Sequence, residues 1–262
     1  MRALHTAATG MKAQELNVQV ISNNIANMRT TGYKRQRAEF QDLLYEHVRR
    51  VGTQTSDQGN ILPVGIELGT GVKTVGTPRL MTQGNLSSTG NSLDLAIRGD
   101  GFFKILMPDG TFAYTRDGSF NLDAQGRIVT ANGNVVQPGV TIPATASSIS
   151  INQQGQVSVT VPGSSTPNLV GQLALTRFIN EAGLQAIGDN LLTETPASGP
   201  PQDGNPNENG FGNLQQGNLE QSNVDAVFEM TSLITAQRSY EMNSKVIQAT
   251  DQMLQTNNNM HT

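Results

Sequence analysis

Residues 3–28 read ALHTAATGMKAQELNVQVISNNIANM, and within this stretch Leu4, Met11, Val18 and Ile25 recur at intervals of seven. Ala7, Ile21 and Met28 follow three residues behind most of them, and Gln14 breaks the pattern. Residues 230–254 read MTSLITAQRSYEMNSKVIQATDQML. There Leu233, Tyr240, Ile247 and Leu254 repeat the same interval, accompanied by Met230, Ala236, Val246, Thr250 and Met253. A seven-residue apolar repeat is the spacing of a coiled-coil seam, because it keeps one side of a helix facing a partner. Nothing comparable lies between the two ends. A seam at each terminus predicts two helices that pair with each other and with copies of themselves, so the expected product is an assembly. Leu4, Met11, Val18, Ile21, Ile25, Leu233, Tyr240, Ile247 and Leu254 are its candidate axial seam.

Working inward, the first helix is expected over residues 2–28 and is ended by the turn-prone Thr30-Thr31-Gly32. A short amphipathic helix is expected from Arg37 to about Val48, with Phe40, Leu43, Leu44 and Val48 on one face. Residues 51–62 (VGTQTSDQGNIL) are polar and aperiodic and read as an extended arm or loop. From about Gly65 the texture changes to period-two segments: Gly69–Val75, Leu93–Ile97, Ile149–Ile151 and Val157–Val161. Asp109-Gly110, Asp117-Gly118, Gln125-Gly126, Asn132-Gly133 and Gln154-Gly155 read as hairpin turns. Residues 196–217, rich in Pro, Gly and Asn, are expected as a long loop leading back to a helix from Asn223 to about Gln255, capped by Ser222 or Asn223. The fold class is therefore α+β. Residues 1–32 and 223–262 would form an axial helical domain, and 33–90 a linking region containing an extended arm at 46–63. Residues 91–195 would form an outer β-rich domain and 196–222 a returning loop.

Composition narrows function. Of 262 residues only 36% are apolar and 5% aromatic, with 27 Gly and 11 Pro, which predicts modest cores and many turns. A net charge of −4 argues against general nucleic-acid binding, which needs a basic surface to displace counterions. The basic run Lys34, Arg35, Arg37, with Arg49 and Arg50, is interleaved with Glu39, Asp42 and Glu46 and reads as an ion-paired interface or a solvated face. The absence of cysteine removes disulfide, iron–sulfur and thiol chemistry. No run approaches the ~20 apolar residues that span a bilayer, and no signal-peptide h-region precedes the first helix. His5, His47 and His261 lack metal-ligand spacing, and no cofactor is expected. Gly99-Asp100-Gly101-Phe102-Phe103-Lys104 opens like a dinucleotide fingerprint but continues as strand, so a tight turn before a hairpin is the better reading. Asp117 and Asp123 lack a calcium-loop pattern, and no catalytic motif is present.

Two segments carry a resemblance. Ser22-Asn23-Asn24-Ile25-Ala26-Asn27 followed by Thr30-Thr31-Gly32-Tyr33-Lys34 resembles the N-terminal signature of flagellar rod and hook proteins, and Leu233–Lys245 with Thr250–Leu254 resembles their C-terminal helix. Gly99–Phe103 and Tyr114–Phe120 are similar to the opening of their β domain. The match covers essentially the whole chain and is nearest to the distal-rod members. The family-motif residues are Asn23, Asn24, Ala26, Asn27, Gly32, Tyr33 and Lys34.

The resemblance implies a non-enzymatic structural subunit of the distal rod. It would polymerise into a rigid helical tube, at once drive shaft and export conduit, exported by the flagellar type III apparatus without signal cleavage and sited in the basal body across the periplasm. It implies as partners further copies of the chain, proximal rod proteins, hook or hook–rod junction subunits, and the L- and P-ring bushings, with no nucleic acid and no membrane insertion. It also implies a rigidity role for residues 46–63, represented by Glu46, Arg49, Arg50, Gln54, Asp57 and Pro63. The rival readings are a proximal-rod or hook-type subunit and, from another class, a flagellum-associated cell-wall hydrolase. Both termini are expected to order on polymerisation, since seams rich in Ala and Met bury too little to hold a lone helix.

Overall fold

A computed structural model describes residues 2–49, 51, 64–163 and 166–260. The chain divides into two compact units and crosses between them four times, after residues 25, 35, 78 and 224.

The first unit holds α1 (Arg2–Ala26), β1 (Glu39–Asp42), β2 (Tyr45–Arg49), β3 (Ile66–Gly69), β4 (Val72–Gly76) and α2 (Ala226–Asn259). The two helices are antiparallel. The Asn24 side chain meets Glu229, and the backbone of Gly10 lies against Asn243, so fourteen residues along one helix match fourteen in the opposite direction along the other. Small side chains let them approach: a Cβ on Gly10 would lie 3.0 Å from the Asn243 amide nitrogen, and Ala7, Ala13 and Ala236 are buried. The first turn of α2 is capped by Asp225, whose carboxylate accepts the Phe228 N–H at 2.9 Å. Ser222 and Asn223, the expected caps, instead accept the backbone N–H groups of Val224 and Arg35.

The expected helix over Arg37–Val48 is not formed. Those residues become β1 and β2, which pair antiparallel with β4 and β3. Asp42 faces Val72 and Tyr45 faces Gly69 at one constant register, so the four strands make a single two-stranded ribbon. The spacing of Phe40, Leu43, Leu44 and Val48 fits a helical stripe, but a helix this short is marginal in water. The ribbon instead pairs these residues with Ile66–Gly76, 17 to 37 positions along the chain. Gly69–Val75, read as one strand, is broken at Gly71 (φ +127°), where a Cβ would strike the Thr9 hydroxyl.

The second unit contains β5 (Leu86–Ser88), β6 (Leu95–Arg98), β7 (Phe102–Leu106), β8 (Phe112–Thr115), β9 (Asn121–Leu122), β10 (Ile128–Val129), β11 (Val135–Val136), β12 (Ser148–Ile151), β13 (Gln156–Thr160) and β14 (Asn168–Gln172). It continues with β15 (Leu175–Arg177), β16 (Gln185–Gly188), β17 (Leu191–Thr193), β18 (Gln202–Gly204), β19 (Asn213–Gln216) and β20 (Asn218–Glu220). The largest sheet runs β16-β17-β8-β7-β11-β10-β9, with β15 joining β7 and β18 joining β15. The remaining sheets are β12-β13-β14, β19-β6 and β20-β5.

Alternation on β7 builds two cores. Phe103 and Ile105 enter the main one with Leu95, Ile97, Phe120 and Leu175, while Phe102 enters a smaller one with Tyr114, Phe178 and Leu192. The Gly99-Asp100-Gly101 segment is a turn between β6 and β7. Residues 196–222, expected as a loop, carry β18, β19 and β20. Their alternation is too short to stand out among Asn, Gly and Pro, and their partners are the distant β15, β6 and β5. Asp117-Gly118 is no hairpin turn: the glycine is needed because the Leu95 carbonyl would lie 1.6 Å from a Cβ there.

Candidate assembly surfaces

On α1, Ile21 is buried, while Leu4, Met11, Val18 and Ile25 are half-buried. On α2, Leu233 and Ile247 are half-buried, but Tyr240 and Leu254 are 43% and 42% exposed. Within the chain the contact between helices is made by a neighbouring stripe of small and polar residues: Gly10, Ala13 and Asn24 on α1, and Glu229, Ala236 and Asn243 on α2. Val20 and the seam residue Ile21 are buried as well, while the other seam positions of α1 are only half-buried.

Asn24 fixes this pair. Its amide donates to the Gln36 carbonyl at 2.8 Å and to the Glu229 carboxylate at 3.3 Å, and its oxygen accepts the Gln36 N–H at 2.9 Å. Asn24 and Glu229 are wholly buried. A polar pair at a helix interface favours the one register in which both members are satisfied. Of its motif neighbours, Asn23 and Ala26 are exposed.

The ribbon is the second surface. Every residue of β2 and β3 is exposed, including Tyr45, Val48, Ile66 and Leu68, and Leu44 beside them is 89% exposed. Glu46 pairs with Arg2 at 2.7 Å, and His47 Nδ1 lies 3.1 Å from Glu67 across the strands. Arg49 ends β2 opposite Ile66. Arg50, Gln54, Asp57 and Pro63, with His261, lie outside the described residues.

The rest of the motif folds inside the second unit. The turn after α1 is closed by the Thr30 N–H to the Asn27 carbonyl at 3.1 Å. Gly32 adopts φ +67°, donates its N–H to the Glu220 carbonyl at 2.8 Å, and leaves no space for a Cβ, which would lie 2.7 Å from the Asp117 nitrogen. Only glycine meets both conditions. Tyr33 is half-buried, and Lys34, expected on a solvated or interfacial face, is instead 4% exposed.

The Lys34 ammonium bonds Glu220 Oε1 at 2.5 Å and the Thr82 carbonyl at 2.9 Å, while Arg116 approaches Glu220 Oε2 at 3.4 Å. Glu220 also accepts the Gly84 N–H at 2.9 Å and is completely buried. Burial holds the Lys34 pKa below its ordinary value; Glu220 opposes the shift and Arg116 adds to it. Glu220 and Arg116 escaped the sequence reading because they lie 186 and 82 positions from Lys34. Lysine in a glycine turn was the one available signal.

Asp117 and Asp123, weighed for calcium, serve turns: Asp117 accepts from Ser119, and Asp123 from the backbone of Gln125 and Arg127. Among the described residues no group of three or more His, Asp or Glu side chains is placed to hold a metal ion.

Three family models match. Residues 4–34 match the flagella basal body rod protein model, 96–159 the flagellar hook protein FlgE/F/G D1 domain, and 215–260 the flagellar basal body rod FlgEFG protein C-terminal model. The flagellar basal-body rod protein FlgG of Caulobacter vibrioides is 56% identical over 255 residues, covering 97% of each chain. The chain belongs to the FlgG family of flagellar basal-body rod proteins. FlgG proteins of Agrobacterium fabrum and Borreliella burgdorferi are 51% and 49% identical, the first over 97% of each chain and the second over 99% of this chain and 98% of its own. Likeness at this level along the full length makes the protein a structural subunit of the flagellar rod. The FlgG match favours neither the hook-type nor the hydrolase alternative, and each matched model and relative is named for flagellar structure.

Proposed function

We propose that the chain polymerises into the distal part of the rod as a rigid helical tube, without catalytic activity, serving as drive shaft between motor and hook and as conduit for exported subunits. The observation that carries this reading is the surface left open by the helix pair. Along α2 one narrow stripe is covered, while Met230, Ile234, Met242 and Val246 are 46–59% exposed. Apolar surface of this extent marks an interaction site. Burial against neighbours would contribute about 25 cal/mol per Å². Contacts between unlike patches that do not close into a ring propagate a helical polymer. In this reading the half-buried and exposed heptad residues pack against the helices of other subunits.

The ribbon extends the same logic. Two strands with both faces exposed are marginal alone, so β2 and β3 gain their stability from a neighbour. Residues 46–63 then act as a brace that limits sliding between subunits. The partners proposed are further copies, proximal rod proteins, hook or junction subunits, the L- and P-ring bushings and the type III export apparatus. The proposed site is the periplasmic span of the basal body, reached without signal cleavage.

The test is to replace Met242 and Val246 with Glu. Both lie on open faces, so the monomer should keep its melting behaviour to within about 0.5 kcal/mol, while filament formation is lost. Normal polymerisation by the double variant refutes the reading.

A further inference from the structure

The turn that carries Lys34 forms one wall of a cavity of about 230 Å³ in the second unit, and no part of the rod reading uses it. Three cationic side chains line it: Lys34, Arg79 and Arg116. The remaining wall includes Phe102, Ala186, Leu191 and Leu192, which are apolar, and the Tyr33 side chain.

The cations are not fully answered by their own chain. Glu220 serves both Lys34 and Arg116. Arg116 is nevertheless 4% exposed with its Nε buried and lacking a hydrogen-bond partner. Arg79 is half-buried, and burial holds its guanidinium below the ordinary pKa; no ion pair to it is found among the described residues. Asp189 also lines the cavity, but it is exposed and its carboxylate accepts the Asn132 amide at 3.0 Å. Glu181 lies in the adjoining groove with Arg79, and burial raises its pKa despite the nearby Arg116 and Lys34.

A half-buried guanidinium without a counter-charge, as at Arg79, is left under-compensated, and guanidinium groups pair best with planar, two-oxygen acceptors. The apolar wall beside that group suits a hydrocarbon stem. We propose that this cavity is a carboxylate-binding site: it takes a carboxylate on a short methylene chain, with the half-buried Arg79 guanidinium as donor, Lys34 and Arg116 adding positive charge behind it, and Ala186 and Leu192 against the stem. Two sources share that chemistry, an acidic side chain of a second copy and a free dicarboxylate. The first rests on the polymerisation reading; the binding itself does not.

The experiment is nitrogen-15 NMR of the arginine side chains in the full-length monomer, titrated separately with glutarate, with neutral glutaramide and with inorganic phosphate. Glutarate should shift the Arg79 Nε signal saturably, and glutaramide should leave it in place. Arg79→Gln should weaken glutarate binding about tenfold or more, the loss of one charge-assisted contact, and Arg79→Lys should recover part of it. Absence of a saturable shift, an equal response to glutaramide, or tighter binding of phosphate overturns the proposal. Saturating glutarate that slows subunit addition by the wild type but not by Arg79→Gln assigns the carboxylate to a second copy, and unchanged addition assigns it to a free dicarboxylate. Because the titration is read on the monomer, a failure to polymerise counts against the rod reading alone.

Discussion

Replacing Glu220 by glutamine tests the buried charge cluster most sharply. The substitution keeps the shape, and the remaining oxygen can still accept from Gly84 and Lys34. The new amide group, however, faces the Arg116 guanidinium, donor against donor, where the carboxylate now stands at 3.4 Å. Two cations that are each 4% exposed would lose the only carboxylate that ion-pairs with both among the described residues. Stranding buried charge costs about 3–5 kcal/mol. For a unit of this size that corresponds to a fall in melting temperature of roughly 6–20 °C.

The loss should also depend on pH, with a definite sign. Lys34 titrates below its unfolded value because of burial, against the opposition of Glu220. Between the two values the unfolded chain binds the extra proton, so stability rises with pH. Removing Glu220 lowers the folded value further and opens that window at lower pH. The penalty should therefore shrink as pH rises from 7 towards 10. Urea unfolding followed by far-UV circular dichroism, which needs no tryptophan, measures both quantities. A Lys34→Met/Glu220→Gln double variant should recover part of the loss. A penalty under about 1 kcal/mol at pH 7, or one that grows with pH, refutes the argument.

Asn24→Ala removes the clamp on Gln36 and one donor to the buried Glu229; a cost of about 2–3 kcal/mol should appear as lost amide protection in α1. Gly32→Ala forces a side chain into a left-handed conformation without space, for at least about 1–2 kcal/mol, with unfolding curves of the monomer as the check. Asp225→Ala should cost about 1 kcal/mol and fray the start of α2, read by hydrogen exchange at Phe228 and Glu229. Deleting residues 46–63 should turn straight filaments into curved ones in electron micrographs; straight filaments would count against the brace.

The two helices were legible because their signal is local and periodic over more than twenty residues. The strands of Phe102–Ile105 and Phe112–Thr115 were legible because glycine turns bracket short apolar runs. The ribbon was misread because Phe40, Leu43, Leu44 and Val48 satisfy a helical spacing, and what decides against it is pairing with residues 66–76, which no local window contains. The cap was misplaced by two or three residues because Ser222, Asn223 and Asp225 all suit the position, and only the path of the chain selects among them. The charge cluster joins Lys34, Arg116 and Glu220 from three distant segments, so composition and spacing carried no trace of it. Of the seam positions on the first helix Ile21 is buried and the others half-buried, while Ala7 and Ala13, which seldom register as hydrophobic signals, are buried beside them.

The four chain crossings between the units bear on mechanics. A domain tethered by one linker concentrates any load on a single peptide segment, and one protease cut there would free it. Here tension applied to the second unit is shared by four covalent spans in parallel, two of which depart from neighbouring positions where the Arg37 N–H bonds the Pro78 carbonyl at 3.1 Å. Cleavage of any one span leaves three intact. In the drive shaft proposed above, that redundancy amounts to fatigue resistance written into the order of the chain.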